Sequence, residues 1–202
     1  MERKKLSLAF RTLRFLGFNY SEEEYGQVSF WKVICKYFGN IYLSLLDKMM
    51  NWTILEPLNP RKLRPILMRK MGCTVGKGCF IGSGIKIDTG HADMIILEDG
   101  VSVAGGVRLL CHQRDFSNYC VGDDYNKLSY TVKPIVLKKG CLIGMETFVL
   151  PGVTVGEGAI VGAGSLVTKD IPAWTVATGR PAKVVRQIPQ RKNDVIYEDS
   201  II

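Results

Sequence analysis

From residue 137 onward the aliphatic positions recur every six residues without a break. With the aliphatic residue placed first, the blocks are LKKGCL, IGMETF, VLPGVT, VGEGAI, VGAGSL and VTKDIP. They open at Leu137, Ile143, Val149, Val155, Val161 and Val167, and their fifth positions are small or β-branched: Cys141, Thr147, Val153, Ala159, Ser165 and Ile171. A helix repeats near every ~3.6 residues and a strand near every ~2, so neither accounts for this period. A short strand followed by a tight corner, repeated, does. The pattern predicts a parallel β-solenoid: the aliphatic side chain points inward, glycine in the second position relaxes the corner, and the small fifth residue fits where the coil narrows.

The same period is present upstream, in VGKGCF from Val75 and IGSGIK from Ile81. It breaks across residues 87–96 and resumes with LEDGVS at Leu97 and VAGGVR at Val103. Leu109 opens LLCHQR, which runs into the polar stretch 115–130 before the period returns at TVKPIV. The spacing from Leu109 to Leu137 is 28 residues, slightly more than four hexapeptides take. The excess predicts a loop thrown off a corner, and such insertions often line a binding face.

Residues 1–70 lack the six-residue signal. Between residues 28 and 50 the apolar residues Val33, Tyr37, Ile41, Leu45 and Met49 fall at helical spacing, flanked by Ile34, Phe38 and Tyr42 and interrupted by Lys32, Lys36, Asp47 and Lys48. Pro57, Pro60 and Pro65 then predict the end of helical continuity before the first solenoid turn. Two roles suit this region: a helical cap over the open end of the solenoid, or an amphipathic segment on a membrane surface, through residues 1–50. The expected organisation is a helical region 1–70, a β-helix 71–186 with loop 113–130, and a tail 187–202.

Composition narrows the classes. At 202 residues and 47% hydrophobic content the chain can bury one sizeable core with a small second subdomain. No run of apolar residues is long enough to span a bilayer, and the basic N-terminus lacks a small-residue cleavage site. The net charge of +8 gathers at Arg3, Lys4, Lys5, Arg11 and Arg14, at Arg61, Lys62, Arg64, Arg69 and Lys70, and near the C-terminus. No nucleic-acid motif accompanies it, so an anionic ligand or acidic membrane surface is the better partner. Six cysteines without CxxC pairing fit reduced thiols in a cytoplasmic protein, with Cys79 and Cys141 as small apolar fillers.

The run IGMETFVLPGVTVGEGAIVGAGSLVTKDIPAWTVATGRPAKVVR closely resembles the C-terminal half of the hexapeptide-repeat acyltransferases, in particular the maltose/galactoside O-acetyltransferase type and its polysaccharide-modifying relatives. The resemblance covers about residues 72–186. It implies a left-handed parallel β-helix with three hexapeptides per coil, assembled as a homotrimer, and acetyl transfer from acetyl-CoA to a sugar hydroxyl without a metal. His112, just before the long loop, matches the family's catalytic histidine, and imidazole suits a general base near neutral pH. His91, the other of the two histidines, lies in the register break. Asp88, Asp93 and Asp115 are candidates to orient His112 or meet the acceptor, or else loop residues in local Asx turns.

By the same resemblance Met145 and Ala163 line the pantetheine groove between subunits, Thr168 and Lys169 match its Thr-Lys pair, and Lys183 and Arg186 match basic positions near the coenzyme phosphates. Departures are Leu142, where the family often has Trp, and Arg180, where it commonly has Asn; Arg180 is a further candidate phosphate contact. Competing classes are an N-acyltransferase on an amino sugar or xenobiotic and a non-catalytic solenoid scaffold. A γ-type carbonic anhydrase needs three zinc histidines, which two histidines do not supply unless another residue type replaces one.

Overall fold

The computed structural model describes residues 6–17, 25–52 and 59–190. Arg3, Lys4, Lys5, Pro57 and residues 191–202 lie outside that set. The chain divides into two compact units, Met1–Lys48 and Met49–Ile202.

In the first unit, helix α1 covers Leu8–Phe15. Ser7 caps it, its Oγ accepting from the Phe10 N–H at 3.2 Å, and Arg14 complements the dipole in the last turn. Helix α2, Phe30–Met49, fulfils the predicted helical spacing. Its apolar stripe, however, is exposed: Tyr37, Phe38, Ile41, Tyr42 and Leu45 all face solvent, and Leu46 is the buried member of the helix.

The second unit is the solenoid. Its strands form three parallel faces. Face A holds Thr74–Val75, Ile95–Leu97, Ile135–Leu137 and Thr154–Val155. Face B holds Phe80–Ile81, Ser102–Val103, Leu142–Ile143, Ile160–Val161 and Thr175–Gly179. Face C holds Lys86–Ile87, Arg108–Leu109, Phe148–Val149 and Leu166–Val167. Three hexapeptides make one coil, since Leu137 pairs with Val155 and Ile143 with Val161.

The sequence pattern translates directly into burial. Leu137, Ile143, Val149, Val155, Val161 and Val167 are fully buried, and the six small fifth-position residues are no more than 5% exposed. The buried hydroxyls among them are satisfied: Thr147 Oγ1 and Ser165 Oγ both donate to the Gly162 carbonyl, at 3.2 and 2.6 Å. The glycine in second position has a sharper reason than relaxing the corner. A Cβ on Gly144 would sit 2.5 Å from the Ala163 nitrogen of the next coil, so stacking leaves no room for one.

The first-coil end of the solenoid is covered within this unit. A π-helical turn, Asn59–Leu63, leads into helix α3, Arg64–Met71, with Pro65 in its first turn. The expectation that Pro65 ends a helix is thus corrected: proline lacks the N–H that a first turn leaves unpaired anyway, and here it begins one. Leu67, Met68 and Met71 are buried. Arg64 is buried too, its Nε and NH1 donating to the carbonyls of Met50 and Ile81 at 2.8 and 3.1 Å. Arg69 donates to the Val75 and Gly76 carbonyls at 2.8 and 2.7 Å, and Asn51 Oδ1 accepts from Gly84 N–H at 2.8 Å. Guanidinium groups therefore satisfy edge carbonyls of the first coil that would otherwise be open. At the other end Thr175–Gly179 turns back into the antiparallel strand Ala182–Gln187.

Residues 110–134 leave the solenoid at one corner, between Arg108–Leu109 on face C and Ile135–Leu137 on face A. The insertion is larger than the residue count suggested. Its base pairs with itself, His112–Arg114 antiparallel to Tyr130–Val132, rather than contributing to a coil.

Candidate active site

The corner joining face C to face A gathers the titratable residues. Asp88 follows the first-coil strand Lys86–Ile87, and its N–H donates to the Leu109 carbonyl of the next coil at 3.1 Å. That bond sets Asp88 against the start of the insertion, where His112 opens the short hairpin. Asp88 also precedes a 3-10 turn, Thr89–Met94, without its side chain capping that turn. The carboxylate is left to face the imidazoles instead.

Asp88 Oδ2 accepts from His112 Nδ1, and from His91 Nδ1 at 3.3 Å. An ionised carboxylate only accepts, so both Nδ1 atoms are the donors, and in the neutral form of each ring Nε2 is the unprotonated nitrogen. The Asp88 side chain is 6% exposed, whereas that of His112 is 40% exposed and open to an incoming group. Burial by itself would raise the Asp88 carboxyl; the hydrogen bonds and charge of His112, then of His91, outweigh it, and the net shift is downward. Asp88 therefore stays ionised at neutral pH. The buried thiol of Cys111, next to His112, is pushed up to about 11 by burial and then by the Asp88 charge. It is a filler and not a nucleophile.

Asp88, His91 and His112 present ligand atoms within 4.8 Å of one another, close enough to share a metal ion. In the hydrogen-bonded arrangement the two imidazole Nδ1 atoms share Asp88 Oδ2.

The hairpin adds aromatic walls. The Tyr130 ring lies 5.5 Å from that of His112, edge to face. Arg114 stacks over Tyr130 and Tyr125 at 4.6 and 5.5 Å and donates to the Leu128 carbonyl at 2.9 Å, bracing the loop. Phe116, Tyr119, Tyr125 and Tyr130 are exposed on it.

Of the three aspartates singled out from sequence, Asp88 is the one hydrogen-bonded to His112. Asp115 accepts from the N–H and Oγ of Ser117, a local Asx turn. Asp93 is exposed in the 3-10 turn. His91 is drawn into the cluster, its ring 5.3 Å from that of His112. Its position three residues after Asp88 in a register break was the signal available, and that signal does not reveal a shared carboxylate.

The other predicted residues lie on two neighbouring edges. Thr168 and Lys169, both exposed, follow Leu166–Val167 at the same C-to-A corner as His112, higher in the stack. Met145 and Ala163 stack on the adjoining B-to-C edge, where Gly164 N–H donates to the Met145 carbonyl at 2.7 Å. Arg180 joins that edge, donating to the Gly164 carbonyl at 3.3 Å, with its guanidinium 5.5 Å over Phe148. Arg108 covers the same ring at 4.8 Å and pairs with Glu146 at 2.9 Å. Lys183 and Arg186 are exposed on the final strand. Leu142 is 40% exposed on face B.

A three-faced parallel β-helix with a histidine at the base of a corner insertion defines a class, and comparison with known proteins gives the family. Residues 134–169 match the model of the bacterial transferase hexapeptide, six repeats. The chain is 33% identical over 135 residues to WcaF of Escherichia coli K12, named for acetyl transfer in colanic acid biosynthesis, covering 61% of this chain and 74% of WcaF. It is 30% identical over 161 residues to the galactoside O-acetyltransferase of Lactococcus lactis, covering 72% of this chain and 76% of that protein. With the serine acetyltransferase of Buchnera aphidicola identity is 34% over 113 residues, spanning 56% of this chain but 38% of that protein.

Among solved structures, a maltose O-acetyltransferase from Clostridium difficile 630 superposes with a TM-score of 0.60 at 24% identity, covering 76% of this chain and 88% of that one. A galactoside acetyltransferase in complex with coenzyme A gives 0.54 at 23%, covering 80% and 86%. The chain belongs to the hexapeptide-repeat transferase family, and its fold is that family's left-handed β-helix.

Proposed function

We propose that the protein is an acetyl-CoA-dependent O-acetyltransferase acting on a saccharide hydroxyl in surface polysaccharide assembly, with His112 as general base. The observation that carries this reading is the Asp88–His112 pair, which fixes the tautomer that leaves Nε2 basic beside an open face. Acetyl-CoA supplies an activated acyl group as a thioester. His112 Nε2 takes the acceptor hydroxyl proton as its oxygen bonds to the acyl carbon. The carbon–sulfur bond then breaks, and the imidazolium returns the proton to the departing thiolate. Asp88 holds the ring and stabilises its charged form, the role an orienting carboxylate has in other histidine-base enzymes.

Met145 and Ala163 would line the pantetheine arm, Thr168 and Lys169 its approach, and Arg180, Lys183 and Arg186 the phosphates, where a guanidinium or ammonium suits the charge. His112 and Met145 stand on different edges of one helix, which fits a homotrimer in which each groove lies between neighbouring subunits. Exposed Leu142, Ile160 and Val184 on face B fit the same arrangement. The aromatic loop beside His112 suits the apolar faces of a sugar ring. Free cysteines, four of them buried, agree with a reducing cytoplasm.

The test is a thermal-shift titration with CoA and acetyl-CoA, followed by acetyl transfer to a panel of mono- and oligosaccharides. A saturable upward shift is expected as ligand exceeds its dissociation constant. No shift at millimolar CoA would contradict the donor assignment. A shift with transfer to amines alone would favour the N-acyltransferase reading.

A further inference from the structure

Helix α2 carries an exposed apolar surface that the acyl-transfer chemistry does not use. Eight large apolar side chains on it are exposed: Phe30, Trp31, Ile34, Tyr37, Phe38, Ile41, Tyr42 and Leu45. Trp31 is 73% exposed and Tyr37 and Phe38 63% each, and unlike scattered surface apolar residues they belong to one contiguous patch. At 3.6 residues per turn the eight fall within an arc of about 140°. Lys32, Lys36, Asn40, Ser44 and Asp47 lie on the remaining side with Val33, Cys35, Leu43 and the buried Leu46, and Lys48 falls at the C-terminal end of the apolar arc. The face is continuous along the helix.

Its composition discriminates among occupants. Five of the eight are aromatic, and Trp and Tyr combine an apolar body with a polar tip that favours the water–lipid boundary. A helix–helix seam would be narrower and aliphatic. Among the described residues no helix is long and apolar enough to cross a membrane, and Lys32, Lys36 and Asp47 on the polar side of α2 agree with a helix lying in the interface plane. The charge in this unit's sequence favours anionic lipid: residues 1–48 carry eight Lys and Arg against five Asp and Glu, with Arg3, Lys4, Lys5, Arg11 and Arg14 against Glu2 in residues 1–17 and Glu22, Glu23 and Glu24 following. Helix α1 adds exposed Leu8 and Phe15 beside Arg11 and Arg14.

We infer that the aromatic face of α2, assisted by the basic residues of 1–17, docks the protein on the surface of an anionic lipid bilayer. Contact energy of this kind has two parts: burial of the apolar face at the headgroup–acyl boundary, and attraction of Lys and Arg to negative headgroups, which salt screens. The inference does not rest on the acyl-transfer reading, and it would hold for a scaffold protein as well.

The experiment is flotation of the full chain with phosphatidylcholine vesicles, with and without phosphatidylglycerol, at low and high salt. The wild type is expected to float with the anionic vesicles at least about tenfold more than with neutral ones, and to be released by salt. A Trp31→Ser/Phe38→Ser/Ile41→Ser variant is expected to stay at the bottom of the gradient, with its melting temperature, light-scattering mass and CoA response unchanged. An Arg11→Glu/Arg14→Glu variant should lose the preference for anionic vesicles. Wild-type protein that does not float with phosphatidylglycerol overturns the inference. So does a triple-serine variant that still floats, or one whose oligomer falls apart, since that would assign the face to a second copy of the chain.

Discussion

One carboxylate oxygen shared by two imidazoles makes Asp88 the pivot of the site. Its ionised form is favoured by those donors over the opposing effect of burial. The sign of the pH dependence follows. A depressed carboxyl contributes stability in full above the ordinary aspartate value of about 4, and loses it as pH falls through the lower value of the folded state. Asp88→Asn should therefore cost about 2 kcal/mol at pH 7, a typical value for hydrogen bonds to a charged group. The gap from wild type should close in acid below about pH 4. Denaturant melts of the two proteins across pH check this, and a gap that has not closed well below about pH 4, where the carboxyl is protonated, would contradict it. At this scale the place of His112 at the corner insertion was legible in the sequence, from its position just before the polar loop. The choice among Asp88, Asp93 and Asp115 was not, because it depends on which coil stacks against which.

Elements were legible where one residue pattern maps to one burial pattern. The six inward aliphatics and the six small fifth residues did so, because a coil has a fixed length and no freedom of register. The insertion did not, since residues 110–134 pair with themselves and leave the period. Nor did α3, because a proline reads equally as the end of one helix or the first turn of the next. Burial of Arg64 in α3 is a consequence of the same geometry: the carbonyl of Ile81 in the first coil and that of Met50, just after α2, need donors. Arg64→Met keeps most of the volume and removes the donors. A loss of about 2–3 kcal/mol is expected, the cost of leaving buried acceptors unpaired, measured by urea unfolding. A variant as stable as wild type would show that the guanidinium is dispensable to the end cap.

For the molecule as a whole, the repeat dictates a rigid β-helix, and the titratable cluster is built by what departs from the repeat. The register break brings Asp88 and His91 to the corner, and the corner insertion brings His112 and its aromatic loop. Family membership accounts for the solenoid half of the chain; residues 1–48 form their own unit, with the exposed aromatic helix as their most distinctive surface. The acetyl acceptor was not legible in the sequence, because loop side chains that touch no repeat carry no periodic signal.

The measurement that bears most directly on the account is acetyl transfer by His112→Ala beside wild type, with CoA affinity measured on the same preparations. The account predicts that kcat/KM falls by a hundredfold or more, about the range for losing a general base, while CoA binds within about twofold of wild type, under half a kcal/mol. Wild-type turnover in His112→Ala would contradict it.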